Sequence, residues 1–281
     1  MEKLSMVRCV TLCLFASLSS SLGESTPVTG VITSMDADSG TVTFSPADGQ
    51  PLQDVVLGSG DLAIGYEGRV IEGELNTSGA QIRLERVFPA EVTTTNTMDG
   101  VNRSLVRRAA SVGRSDSLGR GDYLPDFALF NQRGEAVFSN KLRERPAVMT
   151  FIFTRCGDPK MCPATSVRLA ELGQQLQESG REDVRLIAIS FDPAYDSPGI
   201  LRQYGEAFRL NGPSFELLTG DPETIEALMR LVGVRTIEED GTIVHNLVTL
   251  LTDDHGRIVL RQDGSRWSSD AIYGRVQSME R

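Results

Sequence analysis

The segment FIFTRCGDPKMCPATSV, residues 151–167, places Cys156 and Cys162 six positions apart, with Pro163 directly behind the second. A thiolate attacks disulfides and binds soft metals, so two cysteines this close point to redox or metal chemistry, or to a structural disulfide of the kind exported proteins carry. Cys156 follows an apolar run, Gly157 and the Asp158-Pro159 pair supply turn chemistry, and Pro163 suits the first turn of a helix. The Cys162 thiol then meets the positive end of a helix dipole, which is expected to lower its pKa and favour thiolate. Six positions do not share one helical face, so a loop has to bring the two sulfurs together.

The 281-residue chain holds four cysteines and two histidines, and Cys9 and Cys13 account for the other two thiols. They lie in a segment with Lys3 and Arg8 first, then the apolar run 9–18, then SSSLGES. That order is the layout of a secretory signal peptide over residues 1–23, with cleavage expected near Gly23. The run is short for a bilayer span, which takes roughly 20 apolar residues. An exported mature chain would keep Cys156 and Cys162 alone, on the extracytoplasmic or periplasmic side, with membrane contact only through a retained signal anchor or a partner. His245 stands just before the apolar run LVTLL, and two thiolates joined by its imidazole form a soft, low-coordinate donor set that suits Cu(I) and also accepts Zn. His255, in the turn DDHG, reads as a surface residue.

The elements around these residues fall into two regions. Residues 27–88 carry five short strand-like runs, PVTGVITSM, GTVTFS, LQDVVL, RVIEGELN and AQIRLERVF, punctuated by DADSG, ADGQ and NTSG. They predict a small all-β barrel, of the OB type, serving as an accessory module. With Met35 and no histidine, this region is expected to hold no copper. Residues 89–117, rich in Thr, Ser, Asn and Arg without sustained periodicity, read as a solvated linker. From 118 onward strands alternate with helices. A lead-in hairpin comes first, then the strand AVMTFIF, the helix PATSVRLAELGQQLQE, the strand VRLIAIS, the helices SPGILRQYGEAF and DPETIEALMRLVG, the strands LVTLL and RIVLR, and a last helix from about Ser268. That order predicts an α/β thioredoxin-like domain over 118–281, with the cysteines just after the first core strand. The formal charge of −10 argues against a nucleic-acid partner, which demands a basic face.

Four ordered blocks, TFIFTRC…CP, ISFDPAYDSPGILRQYG, LLTGDPE and VHNLVTLLTDDHGRIV, resemble the successive motifs of the Sco/SenC family of thioredoxin-like copper proteins. The resemblance implies that Cys156, Cys162 and His245 bind copper. It also implies a partner, the copper-receiving subunit of a respiratory cytochrome oxidase, on which such proteins are associated with thiol-disulfide chemistry as well. Asp192, in the FDP segment, matches an acidic position beside the family's site. One departure stands out: the family spacing is C-x-x-x-C-P, and here five residues intervene, which brings Met161 forward as a thioether donor. Two functions therefore stand side by side. A metallochaperone needs His245, whereas a thiol-disulfide oxidoreductase using Cys156 and Cys162 as its redox pair does not.

Overall fold

A computed structural model of the chain describes residues 25–113, 116–239, 242–264 and 266–279. The signal segment 1–23, with Cys9 and Cys13, lies outside the described residues. Among those described, no helix is long and apolar enough to cross a membrane.

The five expected strands of the first region all form: β1 (Ser25–Asp36), β2 (Thr41–Pro46), β3 (Leu52–Leu57), β4 (Val70–Asn76) and β5 (Arg83–Pro89). They close into a barrel in the order β1-β2-β3-β5-β4, with β3 and β5 parallel. Alternation turns one side chain set inward. Ile32, Phe44, Val55, Ile71 and Leu84, one from each strand, meet there with almost no exposure. A short helix that the sequence did not announce, α1 (Ser59–Ile64), bridges β3 and β4.

The linker expected over 89–117 is corrected, because most of it is a 20-residue helix, α2 (Val92–Ser111). Its buried residues, Met98, Asn102, Leu105 and Ala109, are spaced for one helical face, but the stripe contains an asparagine and therefore does not read as apolar. Asn102 donates from Nδ2 to the carbonyl of Ala128 and accepts the Ala128 N–H at Oδ1, both at 2.9 Å and both buried. Below α2, Leu118 N–H bonds the carbonyl of Leu231. An Asn102→Ala chain is expected to lose about 2–4 kcal/mol, since two buried backbone groups are left unpaired. Chemical denaturation measures it, and a loss under about 0.5 kcal/mol would mean that α2 sits on the fold without being part of it.

The second region contains β6 (Ala128–Asn131), β7 (Ala136–Phe138), α3 (Ser139–Leu142), β8 (Ala147–Ile152), α4 (Cys162–Glu178), β9 (Arg185–Ser190), α5 (Pro198–Ala207), β10 (Phe215–Thr219), α6 (Pro222–Val232), β11 (Thr236–Glu239), β12 (Thr242–His245), β13 (Val248–Thr252), β14 (Ile258–Asp263) and α7 (Ser269–Gln277). Seven of its strands form one sheet in the order β14-β13-β8-β9-β10-β6-β7, with β8, β9 and β10 parallel, as the thioredoxin-like expectation requires. The continuous apolar runs of β8 and β9 are buried throughout because helices cover both faces. The hairpin β11–β12 stands apart as a two-stranded ribbon and delivers His245 at its end.

Candidate metal centre

Cys156 leaves the C-terminal end of β8 on the loop that Cys162 closes as the first residue of α4. Pro163 occupies the first turn, and the Met161 carbonyl accepts the Thr165 N–H, so Met161 serves the helix start through its backbone. His245 ends β12, 83 residues further on, and its Nε2 lies 3.5 Å from the Cys162 sulfur. The donor atoms of Cys156, Cys162 and His245 all lie within 4.8 Å of one another. Both cysteines are free thiols; Cys162 is fully buried and Cys156 half-buried.

The imidazole is held by two packed aromatic rings and a backbone carbonyl. Phe153 meets it edge-on at 5.7 Å and Phe191 packs against it at 4.7 Å. Its Nδ1 lies 3.0 Å from the Asn246 carbonyl, an acceptor, so Nδ1 carries the proton and Nε2 presents its lone pair to the sulfurs. Burial pushes the His245 pKa down, which keeps the ring neutral and able to coordinate.

The thiolate expected at Cys162 is corrected. Burial pushes its thiol up and the adjacent Cys156 adds to the shift, overriding the helix dipole in the metal-free protein. A metal ion would supply the positive charge that removes this proton.

Asp192 touches neither sulfur. Its carboxylate accepts from Arg155 Nε and Nη2 at 3.1 and 2.6 Å, and the Arg155 guanidinium stacks on Tyr195 at 4.4 Å. The residue directly before Cys156 is thereby tied to the Asp192–Ser197 turn. Sequence reasoning missed Asp196, which is fully buried; it accepts from Ser190 Oγ at 2.5 Å, from the Thr154 N–H at 3.0 Å, and from the Thr154 hydroxyl. Its signal was available in FDPAYD, where a second acid follows Asp192 by four. Ser166, one turn into α4, bonds Tyr204 of α5 at 2.7 Å. His255 lies exposed in its turn beside Asp253 and Asp254, well apart from the cysteines in chain position and paired to Asp254.

The SCO1/SenC family profile matches residues 115–280. A Stutzerimonas stutzeri protein named as copper-binding is 30% identical over 152 residues, which cover 50% of this chain and 72% of that protein. The mitochondrial SCO1 homolog 1 of Arabidopsis thaliana is 29% identical over 52% of this chain and 43% of its own length. Among solved structures, a SCO1/SenC family lipoprotein from Bacillus anthracis superposes with a TM-score of 0.51 at 24% identity, covering 56% of this chain and 94% of that one, which supports the thioredoxin-like fold. The matched span takes in the cysteine loop, the Asp192 turn and His245 and leaves the barrel outside it: the chain belongs to the SCO1/SenC family.

Proposed function

We propose that the chain is a metallochaperone that carries copper as Cu(I) on Cys156, Cys162 and His245 and delivers it to the binuclear copper site of a respiratory cytochrome c oxidase. The observation that carries this reading is the convergence of two thiols and a correctly oriented imidazole within 4.8 Å, with no carboxylate among the donors. Such a set is soft and low-coordinate, and it favours Cu(I) over metals that prefer oxygen. The name of the Stutzerimonas relative supports copper, and the oxidase is the recipient that the Sco/SenC resemblance implies. The layout of residues 1–23 supports export, which puts the site on the extracytoplasmic face.

The burial of the three donors suggests an order of transfer. Cys162 and His245 are enclosed while Cys156 is partly open, so an incoming partner thiol displaces Cys156 first and the enclosed pair lets go last. The thiol-disulfide reading is weaker, because burial keeps Cys162 protonated and the ring oriented toward it has no part in simple exchange. Strand order β1-β2-β3-β5-β4 with α1 between β3 and β4 supports assigning the barrel to the OB type. Titrating the reduced chain with Cu(I) should show one equivalent, abolished by prior alkylation of the thiols. A second equivalent, or retention after alkylation, would count against the site as drawn.

A further inference from the structure

The barrel lies outside the family match, yet it grips the element that frames the metal centre. α1 of the barrel crosses α5, and the crossing is closer than any side chain allows: a Cβ on Gly60 would fall 1.9 Å from the Gly199 carbonyl oxygen, and a Cβ on Gly199 would fall 2.2–2.7 Å from the carboxyl group of Asp61. Ser59 Oγ accepts from Gln203 of α5 at 2.8 Å beside it. Asp61 is almost fully buried, its Oδ1 has no hydrogen-bond partner, and burial pushes its carboxyl up to about 7. The gripped end is the one whose own cap residue, Ser197, makes no side-chain capping bond.

What α5 holds explains why the grip matters. The turn leading into it contains Asp192, which binds Arg155, and Asp196, which binds Thr154, so the two residues before Cys156 are fixed from this side. From its middle, Tyr204 reaches Ser166, four residues after Cys162. One short helix and the turn that leads into it are therefore bonded to both cysteine-bearing elements.

We propose that the barrel is a clamp on the metal centre, with Gly60 and Gly199 as positioning residues whose missing side chains let α1 seat α5 and, through it, hold the Cys156 loop and the start of α4 in the geometry the metal needs. For its affinity readout the clamp rests on the copper reading; for its mechanical readout it does not.

Gly199→Ala tests it in the full chain. Alanine is the better helix former and Gly199 does not have a left-handed backbone, so the loss is set by the collision, whose three nearest atoms are the carboxyl group of Asp61. In metal-free protein, amide exchange over 154–156 and 192–197 should accelerate about tenfold, and Cu(I) affinity should fall about tenfold, the scale seen when groups supporting a ligand are lost. Asp61→Ala combined with Gly199→Ala removes every carboxyl atom that the new methyl would strike, and it should bring both readouts back to within about threefold of the parent, on that same scale. If exchange quickens only over 59–66 and stays at parent values over 154–156 and 192–197, the barrel docks without positioning the site and the clamp is wrong. Equal behaviour of single and double variants would also overturn it. Should Gly199→Ala fail to fold, Gln203→Ala, which removes the bond to Ser59 of α1, decides by whether exchange over 192–197 quickens or holds. Should the parent take up no copper, the functional reading fails while the exchange arm still judges the clamp.

Discussion

Cys162→Ser should bind Cu(I) at least about 100-fold more weakly than the parent, because a direct donor is lost and such a loss exceeds the 10–100-fold cost of losing a supporting partner. Serine nearly matches cysteine in size, so the buried position at the head of α4 is kept and the effect is chemical. Its hydroxyl is a hard donor that stays protonated under conditions where Cu(I) draws the proton from a thiol. The same substitution removes one member of the only thiol pair among the described residues, so disulfide formation between Cys156 and Cys162 disappears as well. Competition against a chromophoric Cu(I) chelator measures the first effect and thiol counting after oxidation the second. Parent-like copper retention by Cys162→Ser with unchanged circular dichroism would remove Cys162 from the site.

The second region was legible because its strands and helices follow simple patterns. The run AVMTFI and the run RLIAIS are long and apolar because each is covered on both faces, and α6 opens on an Asp221 cap and stops at Gly233 in the left-handed conformation. β10 escaped notice because Glu216 interrupts the apolar sequence FELLT. That carboxylate is buried because Asn131 and Arg133, at the end of β6, and Arg185, on β9, reach it from two other places in the chain. α2 escaped for a related reason: Asn102 satisfies its amide on Ala128, which no window on α2 alone reveals. In the barrel, alternation made the strands plain, whereas α1 is too short for a period to show.

At the site, residue types were legible and their electrostatics were not. Three soft donors stand out in a chain with two histidines, but the sequence offers the helix dipole at Cys162 and conceals the burial that opposes it. Desolvation wins because no full positive charge lies among the causes acting on the sulfur, and a dipole's partial charge is small against the loss of water. The Asp61–Gly199 crossing joins positions 138 apart and leaves no trace in either local sequence.

His245→Ala separates the two functions that share the cysteines. Disulfide exchange needs the thiols alone, whereas a copper centre with two sulfurs needs a third donor, and the Nε2 of this ring is aimed at Cys162 with its tautomer set by Asn246. Alanine should therefore weaken Cu(I) binding by about 10–100-fold or more, on the scale of losing a ligand or its support. Cys156 and Cys162 should still oxidise and reduce. Truncation also empties the space beside the packed Phe153–Phe191 pair, so a loss of stability is expected in parallel, and added imidazole is a control that can refill that space and restore a nitrogen donor. Recovery of copper binding with imidazole assigns the defect to coordination and not to collapse of the aromatic wall. In cells lacking the parent, the variant should leave the oxidase short of copper while its thiols remain exchange-competent. Normal oxidase assembly with His245→Ala would instead make thiol-disulfide exchange the activity that matters, and the oriented imidazole would then be a packing feature of the loop.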